Sequence, residues 1–352
     1  MNMAIVESYY GDSHKKWIDD LQKNLTNPIQ LFTLPPHHWK VRMEAGAIEL
    51  AKQVNSLGRD YDRFLVSDMV NLPLFKSLLD RKYSGAKFLL YFHENQFEYP
   101  KSKVGNFDYH YPYINYVSAL CADKVAFSSQ YNFDSFFQGV KRFQKKLPMA
   151  FRSQDFEEIK IKSRIVPLIF EDPLYNKSPK DYSRKILLWN HRWEYDKGID
   201  EFYQLLEHLK KDSVDFQLVL LGEAKNSPYI EKIKNNFNSR ILHMGYTPKH
   251  KYSDWVSRCT HLPVTSQHDF FGLSVLEAIA QKVIPLLPNK MVYPEHIPNQ
   301  LKNIYLYHDR EELIEKLKTN SSDGELNIEK LVASIGKYQW SNLSNLYLDF
   351  LS

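Results

Sequence analysis

Short apolar runs alternate with stretches of helical periodicity along most of this 352-residue chain. In the first half, residues 3–6, 29–34, 63–66, 87–92 and 124–127 read as strands. Residues 13–24, 41–55, 72–80 and 130–141 place apolar positions three and four apart and read as helices. Such alternation predicts a parallel, doubly wound α/β sheet, because a parallel strand needs a crossover to return to the same edge. The pattern loosens across 145–162, and 167–185, with three prolines, two serines and several charges, reads as a linker. A second alternation follows. Strands are expected at 185–189, 216–221, 240–243, 261–264 and 283–287, with helices at 198–211, 228–236, 249–258 and 273–280. The last segment, 338–351, is aromatic and amphipathic. The expected organisation is a domain over 1–166, a linker over 167–184, a second domain over 185–337 and a terminal helix over 338–352.

Composition changes this picture little. A chain of 352 residues suits two cores better than one, and 43% hydrophobic with 25% charged residues is ordinary for a globular protein. Aromatic content of 14%, with 23 Tyr and 21 Phe, is higher than usual and reads first as a bulky core, second as stacking surfaces for sugars or bases. A formal net charge of +4 is too small to argue for nucleic acid and only leaves room for an anionic partner. The two cysteines, Cys121 and Cys259, match no metal-ligand spacing and suit a reducing compartment. The first eleven residues lack signal-peptide features, and no run approaches the roughly 20 apolar residues of a membrane span. The expectation is a cytoplasmic protein without stable membrane association.

Two stretches carry candidate chemistry. Asn190-His191-Arg192-Trp193-Glu194-Tyr195-Asp196-Lys197-Gly198 lies between a predicted strand and a predicted helix, which places Arg192 and Lys197 at a strand's carboxyl end. His268-Asp269-Phe270-Phe271-Gly272-Leu273-Ser274-Val275-Leu276-Glu277-Ala278 sets Asp269 in a loop and Glu277 inside the helix that Gly272 opens. Cations and free helix-start amides, here those of Leu273 and Ser274, bind phosphates. Carboxylates accept hydrogen bonds from sugar hydroxyls. Arg192 and Lys197 alone would read as a solvated loop, and an acidic pair eight apart is common by chance; the two stretches together suit a nucleoside diphosphate-sugar. Cations preset at the departing diphosphate stabilise the transition state more than the ground state. They can replace a divalent metal, so none is expected.

These stretches resemble the signature of the retaining family-four glycosyltransferases. The resemblance implies the GT-B fold: α/β, two Rossmann-like doubly wound domains facing a central cleft, with the terminal helix returning to the first domain. It implies that Glu277 receives ribose hydroxyls and that Asp269 binds hydroxyls of the donor sugar. Asp269 departs from the family, which usually has Glu there, and its reach is shorter by roughly 1.5 Å. After the first strand, Tyr9-Tyr10-Gly11-Asp12-Ser13-His14 stands where relatives turn tightly against the donor phosphates. Gly11 suits that turn; Asp12 or Ser13 reads as a cap for the next helix. The candidate loops for the base, around Gly222-Glu223 and Gly245-Tyr246-Thr247, carry no decisive side chain, and Tyr246 is counted among the donor-binding residues.

On the acceptor side, Tyr91-Phe92-His93-Glu94-Asn95-Gln96-Phe97-Glu98-Tyr99-Pro100 ends an apolar run. No second His lies four residues beyond His93, so the zinc-helix pattern is missing. His93 is a catalytic candidate with a satisfied buried His as the alternative; Glu94, Asn95 and Gln96 are acceptor candidates. This segment, Tyr9–His14, Leu34–Met43, Val66–Met69 and the His-Asp-Phe-Phe-Gly motif resemble one branch, the tRNA-queuosine mannosyltransferases. The resemblance covers most of the chain and implies transfer of mannose from GDP-mannose, as co-substrate and with no cofactor, to queuosine in a tRNA anticodon. Trp39, Lys40 and Arg42 then offer an aromatic face and two cations to an RNA loop, a plain surface helix being the alternative. The rivals are a transferase for a lipid or polysaccharide acceptor and a non-catalytic RNA-binding module with a vestigial nucleotide site.

Overall fold

The computed structural model describes residues 2–98, 108–171, 180–222, 227–319 and 322–352. The chain forms two compact units, Met1–Glu171 with Tyr338–Ser352, and Asp172–Lys337. Each is built on a six-stranded sheet whose paired strands all run parallel. Much of the expected linker, together with Tyr99, Pro100 and Glu223, lies outside the described residues.

In the first unit the strands are β1 (Met3–Glu7), β2 (Gln30–Thr33), β3 (Arg63–Ser67), β4 (Lys87–Phe92), β5 (Lys124–Phe127) and β6 (Ser163–Ile165), in the order β2-β1-β3-β4-β5-β6. The β1 and β4 sequences, MAIVE and KFLLYF, are almost wholly apolar because helices cover both faces of the sheet. The order reverses direction between β1 and β3. Outside the carboxyl ends of strands at such a point, a doubly wound sheet leaves a crevice for ligands. The aromatic residues fill the core: Phe64 stacks on Phe88 (5.3 Å) and Phe92 on Phe127 (4.8 Å). Each fully buried Phe contributes about 1.5–3 kcal/mol through burial.

The helix Trp340–Leu351 belongs to this first unit. Trp17 Nε1 donates to the Tyr347 hydroxyl (2.8 Å), which donates to the Pro167 carbonyl (2.8 Å). Lys124 Nζ donates to the carbonyl of Asp349 (3.0 Å) near the helix end. Those carbonyls have no partner within the helix, and a cation suits them.

The second unit contains β7 (Ile186–Trp189), β8 (Gln217–Leu221), β9 (Ile241–Gly245), β10 (His261–Pro263), β11 (Ile284–Pro288) and β12 (Leu306–Tyr307), ordered β12-β11-β10-β7-β8-β9. Its reversal lies between β7 and β10. The two motif loops, 190–198 and 264–272, leave those two strands at their carboxyl ends.

Several elements differ from expectation. The helix Asp12–Asn24 is capped by neither Asp12 nor Ser13: Gly11 is its N-cap, without a side-chain cap bond, and Asp12 takes a positive φ of 45°. Gly11 is required by space, since a Cβ there would stand 2.5 Å from Pro36 Cβ. The helix His110–Cys121 was not anticipated, because its Tyr-rich apolar sequence with Pro112 in the first turn hides the helical period. Between β11 and Tyr338, where no element was placed, stand β12 and helices at Tyr293–His296, Lys302–Tyr305, Arg310–Lys318 and Ser322–Ile335.

Candidate active site

In the second unit the β7 and β10 loops are locked together by a glycine. Gly198 has φ +68°, and a Cβ on it would stand 2.2 Å from the Thr265 carbonyl oxygen. Thr265 Oγ1 donates to Gly198 O (2.9 Å), and Gln267 N–H donates to Asp196 O (2.8 Å). Gly198→Ala is therefore expected to cost about 3 kcal/mol, combining backbone strain with overlap. Urea unfolding should show the loss, and calorimetry should show weakened donor binding.

This junction brings Lys197 to the second motif. Lys197 Nζ, nearly buried, donates to the His268 carbonyl (2.9 Å). It faces Asp196 at 3.4 Å and Asp269 at 3.8 Å, ion-pair distances that leave its other ammonium hydrogens able to turn toward a ligand. Asp269 Oδ2 accepts from the Tyr293 hydroxyl (3.1 Å). Burial pushes the Asp269 carboxyl up, but Lys197, His191 and Tyr293 outweigh it and hold the group below its usual range. Asp269 is thus a carboxylate oriented as an acceptor.

Gly272, with φ +74°, is the N-cap of the helix Leu273–Ala280, whose first hydrogen bond runs from Val275 N–H to Gly272 O (2.9 Å). The amides of Leu273 and Ser274 precede that bond, and free amides at a helix start suit an anion. Glu277 sits on the same helix beside the Tyr252 hydroxyl, which accepts from Asn190 Nδ2 (3.1 Å). Asn190 Nδ2 also donates to Ser274 O (2.7 Å), tying the β7 loop to the helix that carries Glu277. Arg192 is half-exposed, 3.5 Å from Glu194. Tyr246 follows β9 and is 72% exposed, so its ring is open to a stacking partner, two strands from β7.

His191 was quoted in the motif but not singled out. It is buried, its Nδ1 lies 3.2 Å from Ser274 Oγ, and its Nε2 meets no hydrogen-bonding group among the described residues. Burial, then the Lys197 charge, pushes its pKa down to about 4. It stays neutral at physiological pH, with a nitrogen unused beside Asp269 and Lys197.

At the crevice of the first unit stands a buried cluster from three strand ends. Glu7 closes β1, Asp68 follows β3 and His93 follows β4; His14 reaches in from the helix Asp12–Asn24. Of these the sequence singled out only His93. The others left a weak signal, an acidic residue ending an apolar strand and a His seven positions later. His14 Nδ1 lies 2.8 Å from Glu7 Oε2, and its ring stacks on His93 at 3.9 Å. Burial opposes charge on His14, but the Glu7 carboxylate outweighs it and holds the pKa up to about 9. His93 is driven well below its ordinary value by burial and by the His14 charge.

These shifts make stability depend on pH. Between about 6.5 and 9 the folded cluster holds a proton on His14 that the unfolded chain releases, so its contribution, full below pH 6.5, disappears as pH rises through 9. The interval corresponds to about 3 kcal/mol. Wild type should lose stability from pH 6.5 to 9 in urea unfolding, and Glu7→Gln should lose markedly less across the same range.

The acceptor candidates separate. Asn95 is wholly buried, and its Nδ2 donates to Asn132 Oδ1 (2.9 Å) and Ser135 Oγ (2.9 Å), so it fastens the loop to the helix Gln130–Lys146. Gln96 is also buried, with Nε2 on Glu94 (3.1 Å), and it orients Glu94. Trp39, Lys40 and Arg42 open the helix Trp39–Leu57. Trp39 is half-buried against Tyr111 (ring centroids 5.0 Å apart), so part of its face is used within the unit. Lys40 lies exposed over Trp39 and Tyr111, 3.7 Å from Asp108, and Arg42 Nε donates to Pro35 O (3.2 Å). An Asp-x-Asp triplet of the metal-binding type, Asp60-Tyr61-Asp62, precedes β3 at the amino-terminal edge of the sheet, away from the crevice.

Comparison with known proteins gives the same outline. Residues 2–169 match the tRNA-queuosine alpha-mannosyltransferase N-terminal family, and residues 171–338 match the glycosyl transferases group 1 family. A Drosophila melanogaster protein named tRNA-queuosine alpha-mannosyltransferase is 30% identical over 319 residues, covering 86% of this chain and 83% of that protein. Among solved structures, TarM superposes with TM-score 0.67 at 18% identity, covering 86% of this chain and 57% of its own. Sucrose-phosphate synthase from Thermosynechococcus elongatus superposes with TM-score 0.69 at 13% identity, covering 99% of both. At such identities the structures speak for the fold, which is GT-B. Among the described residues no helix is long and apolar enough to cross a membrane.

Proposed function

The chain belongs to the tRNA-queuosine alpha-mannosyltransferase family, and we propose that it transfers mannose from GDP-mannose to queuosine in a tRNA anticodon, with retention and without a metal. That it is a glycosyltransferase follows from the family. The finer reading rests above all on one observation: Lys197 and Asp269 meet beside the Gly272 helix start at the β7/β10 crevice. The helix amides and the two cations suit a diphosphate, Asp269 a sugar hydroxyl, Glu277 the ribose and Tyr246 the base.

In this mechanism the bond from the anomeric carbon to the diphosphate oxygen breaks, and one to the acceptor hydroxyl oxygen forms on the same face. The hydroxyl proton leaves on the diphosphate. No side-chain nucleophile is needed, and Asp269, held by Lys197 and Tyr293, is an acceptor of hydrogen bonds and not an attacking group. Arg192 and Lys197 supply the positive charge that a metal supplies elsewhere, so a chelator should leave the rate unchanged.

The test is direct. Purified protein, GDP-mannose and queuosine-containing tRNA should yield a hexosylated nucleoside by mass analysis, and tRNA lacking queuosine should yield none; absence of product with both removes the RNA-acceptor reading. Lys40→Ala with Arg42→Ala should weaken tRNA binding and flatten its salt dependence by roughly one logarithmic unit per lost phosphate contact. Filter binding across a salt series measures this, with donor binding as the control.

A further inference from the structure

The first-unit cluster holds an arrangement that the transfer mechanism above does not use. We propose that His14, paired with Glu7 and stacked on His93, is a positioning residue that keeps His93 uncharged, so that His93 offers a bare Nε2 lone pair to a substrate hydroxyl. The inference rests on the proposed function, with His93 as its catalytic candidate, and it assigns the group that acts beside burial on the charge of His93.

The geometry supports this in three steps. First, two imidazoles stacked at 3.9 Å cannot both be cations, because like charges at that separation in a buried site repel strongly. Second, the partners decide which ring is charged. Glu7 Oε2 lies 2.8 Å from His14 Nδ1, while Asp68 Oδ1, 3.4 Å from His93 Nδ1, already accepts the His93 backbone N–H at 2.9 Å. Burial raises the Asp68 carboxyl to about 7, so it is a weaker claimant for a cation than Glu7. Third, an oxygen that accepts one N–H serves as acceptor for Nδ1–H as well, which leaves Nε2 with its lone pair. That nitrogen is buried and meets no hydrogen-bonding group among the described residues. An unused buried acceptor is costly unless a ligand uses it. Nε2 itself is covered, which keeps bulk water from it.

The other neighbours do not alter the assignment. Glu94 adds negative potential at His14, and Tyr9 meets that ring edge-on at 6.2 Å. Trp17 at 4.7 Å and Tyr91 at 4.9 Å meet the His93 ring edge-to-face without a charge of their own. Burial also holds the Tyr91 phenol well above its ordinary value. Glu7, His14 and His93 place ligand atoms within 4.8 Å of one another, the spacing of a metal site. The pairing opposes that use: Glu7 Oε2 and His14 Nδ1 lie 2.8 Å apart and are spent on each other. A charged His14 has a further consequence. It keeps His93 from holding a proton on Nε2, so that nitrogen accepts from a hydroxyl and does not donate to it.

The experiment pairs spectroscopy with a pH profile. In 15N-histidine spectra of the whole protein at pH 7, the His14 ring should be cationic and the His93 ring neutral. In His14→Phe, which keeps an aromatic stack and the burial but removes the charge, His93 should titrate at a higher pH than in wild type. The acid limb of the transfer rate should then move to higher pH, falling about tenfold per pH unit below the new value. The ratio of rates at pH 8.5 and 5.5 should therefore grow over wild type. Glu7→Gln, which preserves volume, should move the profile the same way if His14→Phe fails to fold. An acid limb in both transfer and acceptor-free donor hydrolysis places the hydroxyl on the sugar; a limb in transfer alone places it on the acceptor. Parallel profiles for wild type and both variants, a neutral His14 at pH 7, or stoichiometric zinc lost in His14→Phe would each overturn the proposal. Absence of any tRNA product from wild type would count against the acceptor reading alone, because the spectra and donor hydrolysis still report on His14.

Discussion

Arg192→Ala should lower turnover ~10²- to 10³-fold with little change in unfolding midpoint, whereas Lys197→Ala should lower both. The two cations occupy different environments. Arg192 is half-exposed and its partner Glu194 is exposed too, so the pair broken by its removal is not a buried one. Lys197 is nearly buried between Asp196 and Asp269, and its loss strands two carboxylates. Breaking a buried pair by removing one partner typically costs about 3–5 kcal/mol. The catalytic loss has the same origin in both variants, a missing charge at the departing diphosphate, and it should appear in turnover at saturating donor more than in apparent donor affinity. Release of nucleoside diphosphate measures the first effect and thermal unfolding the second. Wild-type turnover in the Arg192→Ala, Lys197→Ala double variant would end the donor-site assignment.

The two motifs of the candidate donor site were legible in the sequence because the parts of each are contiguous. A strand end, a glycine and a helix start follow one another in each motif, so Lys197, Asp269 and Gly272 are placed by local chain geometry. What spacing could not show is that the two motifs meet. That depends on the sheet order β10-β7, and it is enforced where Gly198 lies against Thr265, a contact between residues 67 positions apart. His191 escaped for a related reason: its surroundings are supplied by Ser274 and Asp269, and nothing in its own neighbours along the chain marks it as buried.

The first-unit cluster was illegible for the same cause, carried further. Glu7, Asp68 and His93 belong to three strand ends, and only the order β1-β3-β4 makes them neighbours. Asn95 shows the converse. It stands in a polar run after an apolar strand, where a site residue is expected, yet Asn132 and Ser135 occupy its amide from a helix some 40 residues away. In the fold, long amphipathic elements could be read, while one-turn helices such as Tyr293–His296 carry no period to detect. The helix Arg310–Lys318 was missed although its start is signed: Asp309 accepts from Glu312 N–H (2.9 Å), and Glu312 accepts from His308 N–H (2.8 Å).

Asp269→Glu should reduce turnover at least about tenfold, although the signature that this motif resembles usually has Glu there. An added methylene carries the carboxylate roughly 1.5 Å further. The native group is already held between the Tyr293 hydroxyl at 3.1 Å and Lys197 Nζ at 3.8 Å. It also packs over the glycine that opens the helix, 3.5 Å from where a Cβ on Gly272 would stand. A longer side chain loses one of these partners or presses on the helix start, and a tenfold loss needs only about 1.4 kcal/mol. Asp269→Asn keeps the shape and removes the charge, so it should cost more, ~10²-fold, with donor affinity changed less, if the carboxylate binds a sugar hydroxyl most strongly in the transition state. Lys197 keeps Asp196 as a partner in that variant, so folding should survive. Tyr293→Phe separates the two causes: it frees space beside the carboxylate and should partly restore Asp269→Glu while doing nothing for Asp269→Asn. Wild-type turnover in Asp269→Glu would mean that these contacts do not fix the position of the carboxylate, and that the shorter side chain is a neutral exchange.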